Sequence, residues 1–304
     1  MNKIALFCIL ILAAACGKAA TNAPVSTATQ HSFFAFQNGL KGTPAQMAAT
    51  LQELGYDGLS SEGFEMLPLI KELQARNLKL YNTYLTLEFD AATNGLTEPL
   101  RKLIDDLHGS GAALWIAVTK VTRDGKAFPN SSPEGDSIAM ARLGEIADYA
   151  EPRGVKIALY PHTWSWLERV GDAVRLADKM NRPGVGATFN LCHWLKVEGD
   201  VDPLPTLKAA LPRLYFVSIN GADNGDTREQ DWDRLIQTLD RGSYDVNRFL
   251  RQLRTLGYTG PVGLQCYNVK GDPKDNLARS IPAWRKMGDE SSKTLSNGEG
   301  AGRQ

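Results

Sequence analysis

Two hydrophobic rhythms alternate along the chain from about residue 31 to residue 288. Short apolar, β-branched or aromatic runs predict strands at Phe33–Phe36, Gly58–Ser60, Lys79–Leu85, Leu114–Thr119, Lys156–Tyr160, Val185–Asn190, Tyr215–Ile219 and Val262–Cys266. Between them the apolar residues recur at helical spacing. They predict helices over Thr43–Leu54, Met66–Arg76, Leu96–His108, Ile138–Arg153, Arg169–Met180, Pro205–Leu211, Asp245–Leu256 and Leu277–Lys286. Thr43-Pro44 is a start signal, because proline is tolerated at the first helical position. Gly55, Gly111, Gly154, Gly184 and Gly257 fall where helices stop. Two junctions echo one another, Leu54-Gly55-Tyr56-Asp57-Gly58 and Leu256-Gly257-Tyr258-Thr259-Gly260, as a recurring βα unit would. Alternation of this kind over about 250 residues predicts an α/β fold, a single (β/α)8 barrel. An open doubly wound sheet is the competitor, and no Gly-x-Gly-x-x-Gly follows the first strand to support it. In a barrel, the residues just beyond each strand make the functional face.

The ends of the chain depart from this rhythm. Residues 1–16 begin with Met1-Asn2-Lys3, continue as an apolar run from Ile4 to Ala15 and reach Cys16, which predicts a signal peptide too short to span a bilayer. Ala13-Ala14-Ala15-Cys16 is similar to a bacterial lipobox, so lipidation of Cys16 is expected. The expected location is therefore export to the periplasm or cell surface, with contact to a membrane only through an N-terminal lipid. Ala13 stands where leucine is usual, which leaves ordinary cleavage after Ala15 open. Residues 17–30 are small and polar and read as a flexible tether ahead of a 31–288 barrel; 289–304 reads as a disordered tail. Lys plus Arg is 34 and Asp plus Glu is 34, so no global field attracts nucleic acid, and no basic run supplies a local one. The 4 cysteines are too few for a disulfide framework.

Candidate chemistry collects at four predicted strand ends. Leu159-Tyr160-Pro161-His162-Thr163-Trp164-Ser165-Trp166 follows the fifth strand; at period two, Tyr160 and His162 share a side. His162 is either a base near neutral pH or a loop residue tied to a carbonyl, and Trp164 and Trp166 are sugar-stacking platforms or plugs between loops. The sixth strand ends at Asn190, followed by Cys192, a buried small side chain, and by His193. Ser218 and Asn220 close the seventh strand and Gln265 the eighth. A ring of Tyr160, Asn190, Ser218 or Asn220, and Gln265 satisfies its own polar atoms as a plug or binds a polyol. Glu62, Glu88 and Lys120 lie after the second, third and fourth strands, as solvated loop charges or mouth residues and reserve bases. His31 falls at the end of the tether and His108 on a helix face, and neither is assigned a role. Phosphate loops, nucleophile elbows and Cys-x-x-Cys pairs are absent from the sequence.

The segments Ile157-Ala158-Leu159-Tyr160-Pro161-His162, Asn190-Leu191-Cys192-His193, Ser218-Ile219-Asn220-Gly221-Ala222-Asp223 and Gly263-Leu264-Gln265-Cys266-Tyr267 resemble the xylose isomerase-like barrel family, in a secreted sugar phosphate isomerase/epimerase-like branch. The resemblance covers about residues 31 to 288. It implies a divalent metal, Mn, Mg or Zn, held by acidic and histidine ligands; at those places this chain has Tyr160, Asn190, Ser218 and Gln265. Neutral oxygens hold a hard cation weakly. His193 keeps the family's position three residues after Asn190, where substrate oxygen is contacted. Three readings follow, each with a small carbohydrate as partner. In the first, a sugar isomerase or epimerase, or a lyase of 3-keto-glycosides, uses His162 and His193 as catalytic acid and base, with Tyr160, Trp164, Asn190, Ser218, Asn220, Gln265, Glu62 and Lys120 around the substrate. In the second, a metal is kept on a shifted set, His162, Asn190, His193 and Gln265. In the third, the barrel binds carbohydrate without catalysis.

Overall fold

The computed structural model describes residues 31–37 and 40–298, with side chains as far as 288. The predicted signal peptide, Cys16, the predicted tether and residues 299–304 lie outside them. Parallel strands β1 (Phe33–Phe36), β2 (Gly58–Glu62), β3 (Lys79–Asp90) and β4 (Ala113–Arg123) form one half of a barrel. A two-residue strand β5 (Lys126–Ala127) folds back antiparallel on β4. The other half is β6 (Lys156–Leu159), β7 (Val185–Asn190), β8 (Leu214–Ile219) and β9 (Val262–Leu264). Pairing of β4 with β6, β8 with β9 and β9 with β1 closes the ring. The result is a single (β/α)8 barrel of parallel strands, with helices in the connections between them.

The helices cover the outside: α1 (Pro44–Leu54), α2 (Leu67–Gln74), α3 (Glu98–Leu107), α4 (Asp136–Ala150) and α5 (Val170–Met180) in the first half. After β7 come α6 (Leu191–Glu198) and α7 (Leu204–Ala210), then the single turn α8 (Trp232–Leu235), α9 (Val246–Thr255) and α10 (Pro273–Gly298). The first helix shows why the local sequence folds so. Thr43 caps it, Gln46 completes a capping box, Pro44 supplies a preset φ, and Gly55 ends it at φ 83°. The last helix runs on past Lys286 to Gly298, over much of the segment read as a tail. No helix of the described residues is long and apolar enough to cross a membrane.

Mostly aliphatic side chains, with Phe33, Phe189, Phe249 and Trp284 among them, fill the layer between strands and helices, whereas the barrel interior is mainly aromatic. Phe34, Phe36, Trp115, Tyr160 and Phe216 pack there, with Tyr81 stacked on Phe34 at 4.4 Å and Tyr160 on Trp115 at 3.8 Å. Ala113, Ala117, Ala158 and Gly263 make the room; a Cβ on Gly263 would come within 2.6 Å of the Phe34 ring. His31 is not tether. It is buried at the N-terminal end of the barrel, with Nδ1 donating to the Gly260 carbonyl at 3.0 Å.

Candidate functional site

A cavity of about 410 Å³ opens at the C-terminal ends of the strands. Its floor is the Trp115–Tyr160 stack, and its walls come from β1, β2, β3 and the loops after β6, β7, β8 and β9. Of the residues singled out in the sequence, Tyr160, His162, Trp164, His193, Gln265 and Glu62 line it.

The two imidazoles meet here. Their ring centroids are 4.0 Å apart at an interplanar angle of 42°. Pro161 ends the pairing of β6, and the chain then turns tightly: the His162 amide donates to the Leu167 carbonyl at 3.0 Å, and the Trp166 amide to the Thr119 carbonyl at 2.9 Å. His193 sits in the first turn of α6, whose N-cap is Asn190. Nδ1 of His162 lies 3.0 Å from the Thr163 carbonyl oxygen, which only accepts, so the neutral ring carries its proton on Nδ1 and leaves Nε2 as the basic nitrogen. Nδ1 of His193 is 3.0 Å from the Thr163 hydroxyl. Burial lowers the pKa of His162 against the pull of the Thr163 carbonyl, and holds that of His193 well below its ordinary value, with His162 adding to the effect. Both rings are thus neutral near pH 7.

The remaining predicted residues have other roles in the geometry. Asn190, buried outside the lining, accepts the His193 amide at 3.3 Å and the Cys192 thiol at 3.0 Å on Oδ1, and its Nδ2 donates to the Tyr160 hydroxyl at 3.0 Å. Asn220 is fully buried, because its amide donates to the carbonyls of Leu235 at 2.7 Å and Gly221 at 2.9 Å, fastening the loop that carries Trp232. Ser218 is fully buried beside Asn190 on the neighbouring strand, and its hydroxyl has no partner among the described residues. Lys120 pairs in register with Glu88 on extensions of β4 and β3; both are exposed and neither lines the cavity. Trp166 is the plug, 1% exposed and packed against Gly135, while Trp164 is 68% exposed at the mouth.

Several lining residues were not singled out in the sequence. Trp232 packs edge-on against both His193 (5.6 Å) and Trp164 (5.8 Å) from the single turn α8, too short to show a helical period in the sequence. Tyr84 faces inward on β3, its phenol pushed up to about 12 by burial and by nearby Glu62 and Tyr267. Ser60 and Ser61 stand just before the last residue of β2, and a polar pair there is a readable signal. Thr163, between His162 and Trp164, is buried behind the lining and contacts both imidazoles.

The four positions at which the resemblance implies metal ligands do not fit a hard divalent cation. Tyr160 is a buried phenol whose ionisation is driven up by burial first and by Cys192 and Tyr84 after it. Asn190 Oδ1 is occupied as a cap, Gln265 Oε1 accepts the Tyr267 amide at 3.1 Å, and Ser218 is a lone neutral hydroxyl. The shifted set fares no better, since it adds to those amides only two imidazoles, one with Nδ1 committed to a carbonyl. Among the described residues no group of three or more His, Cys, Asp or Glu stands close enough to share a metal ion.

Comparison with known proteins places the architecture. A 3-dehydroshikimate dehydratase of Pseudomonas aeruginosa is 29% identical over 153 residues, 48% of this chain and 23% of that one. A ketose 3-epimerase of Arthrobacter globiformis is 25% identical over 193 residues, 62% of this chain and 61% of that one. The chain thus spans less than two thirds of the length of these relatives. The solved IolI protein, with a bound zinc atom, superposes with a TM-score of 0.66 at 16% identity, over 86% of this chain and 98% of that one. The model of the xylose isomerase-like TIM barrel matches residues 49–287, a span that includes seven of the eight barrel strands and every cavity wall but the first, and the chain belongs to that family.

Proposed function

We propose that the cavity binds an uncharged carbohydrate carrying a carbonyl group, and that His162 and His193 serve removal of a carbon-bound proton beside that carbonyl. The observation that carries this reading is the pair of neutral imidazoles in contact inside the cavity. A base held by a barrel strand end typically contributes about 10²–10⁴-fold in rate. The cavity wall supports a sugar: aromatic faces from Tyr84, Trp115, Trp164 and Trp232 alternate with Ser60, Ser61, Gln265 and Asn268. Among the described residues neither Arg nor Lys lines the cavity and Glu62 is the one carboxylate there, which favours a neutral sugar over a sugar phosphate. The relatives include a ketose 3-epimerase and a dehydratase, and both reaction types open with loss of a proton made acidic by a neighbouring carbonyl. A lyase acting on 3-keto-glycosides opens with the same step.

The test is incubation with ketoses, aldoses and 3-keto-glycosides in deuterium oxide, read by NMR for exchange at the carbon beside the carbonyl. Exchange is expected, and His162→Ala and His193→Ala are each expected to lower its rate by about 10²–10⁴-fold while folding normally. Wild-type rates in both variants would remove the histidines from the chemistry. Sugar binding without exchange would favour a carbohydrate-binding barrel without catalysis, which the aromatic wall also supports.

A further inference from the structure

We propose that Thr163 sets His162 and His193 in opposite tautomers, making His162 the base that carries the proton and His193 the donor that holds the carbonyl oxygen, so that the proton leaves and returns on one face of the substrate. The inference rests on the proposed carbonyl-directed reaction and assigns the two imidazoles different parts in it.

Thr163 is 4% exposed and touches both rings. Its carbonyl accepts Nδ1–H of His162, which fixes that ring with a bare Nε2. Its hydroxyl has one hydrogen-bond partner among the described residues, Nδ1 of His193 at 3.0 Å. A buried hydroxyl that only accepted there would leave its own hydrogen unpaired, at a cost of roughly 1–3 kcal/mol. Donation from Oγ1 to Nδ1 satisfies the hydroxyl, so His193 keeps its proton on Nε2. The β-branched side chain holds Oγ1 in a restricted χ1 rotamer, which makes the arrangement stiff. One residue therefore presents an acceptor and a donor side by side, on rings 4.0 Å apart.

The chemistry divides accordingly. Nε2 of His162 takes the proton from carbon: the C–H bond breaks, an N–H bond forms, and the electron pair moves to give an enolate. His193 donates a hydrogen bond to the enolate oxygen without losing its proton, as a preorganised donor aimed at developing charge. The imidazolium of His162 then returns its proton on the same side. It goes to the former carbonyl carbon after the hydroxyl on the deprotonated carbon has passed its proton to the enolate oxygen, giving isomerisation, or to a departing β-hydroxide, giving water and a double bond. Because the rings touch, they serve one face; inversion at carbon needs a second group across the cavity. Thr163 is a positioning residue in this scheme, acting through the rings.

The test uses the full protein with ¹⁵N-labelled histidine, whose ring nitrogen shifts report the tautomer without any substrate. The chain has 4 histidines, so His→Gln variants assign the signals. The expected result is Nδ1–H on His162 and Nε2–H on His193. Thr163→Ser should keep both, whereas Thr163→Val should release the preference of His193 alone, since the backbone carbonyl remains. In turnover, Thr163→Val should lower kcat by at least tenfold with KM little changed, and Thr163→Ser should restore it. In deuterium oxide, some product should retain the substrate's own hydrogen, carried across by one base. Nδ1–H on His193 in the wild type overturns the assignment, as does a product inverted at the reacting carbon. If no carbohydrate turns over, the function proposed above fails, and the spectra still decide the tautomers.

Discussion

Trp164 has a φ of 65°, a left-handed conformation that costs an L-residue roughly 1–2 kcal/mol, and 68% of its surface is open to solvent. The surrounding turn enforces this: the Trp164 amide donates to Glu168 Oε1 at 2.8 Å, and the Leu167 amide donates to the Val118 carbonyl at 3.0 Å. A strained, exposed indole on a pinned loop suits a stacking surface at the cavity mouth. Two outcomes follow for substitution. Trp164→Gly should unfold at a higher temperature than Trp164→Ala, because glycine takes this φ freely; thermal denaturation of the two variants decides it. Both should bind carbohydrate roughly 3- to 10-fold more weakly than wild type by calorimetry, the scale of one aromatic contact; unchanged affinity would remove Trp164 from the site. The sequence could not separate Trp164 from Trp166. Period two places them on one side, but the chain turns between them and sends Trp166 into the core.

The strands show which elements were readable and why. Their cores were legible because each is a short apolar or aromatic run bounded by glycine or polar residues. Their ends were not: β3 and β4 run to Asp90 and Arg123, past the predicted Leu85 and Thr119. The extensions carry exposed Thr86, Glu88 and Lys120, and pair with one another above the ring, so no burial pattern marks them. Helix α6 was missed although its signal was present, an Asn directly before an apolar run, because Asn190 was read as a substrate amide and not as a cap. Which strand ends face the mouth was legible at His162, His193 and Gln265; the loop after β8, which supplies Trp232, was not. The inner layer makes a further claim at this scale. Gly263→Ala puts a methyl 2.6 Å from Phe34, and overpacking of this kind should destabilise by about 1–3 kcal/mol in denaturant melts, with Phe34→Leu as second change relieving part of it.

At the scale of the whole molecule, three imidazoles are withdrawn from water and neutral: buried His31 at one end of the barrel, half-buried His162 and buried His193 at the other. Burial lowers all three pKa values, so the unfolded chain binds more protons than the folded one below the ordinary histidine value of about 6.5. Their contribution is fully present above that pH and is lost as pH falls toward the depressed values. Thermal stability should therefore decline on acidification below about pH 6.5, and His31→Gln should flatten the decline; a slope unchanged in that variant would show that His31 does not titrate with unfolding. His31 also marks a geometric fact. The chain enters the fold beside Gly260, with Phe33 stacked on Trp284 at 4.1 Å, while the cavity opens at the other ends of the same strands. The first described residue and the opening thus lie at opposite ends of the barrel. Under the proposed function, a carbohydrate much larger than the cavity would thread one residue inward and keep its bulk on the side away from residue 31.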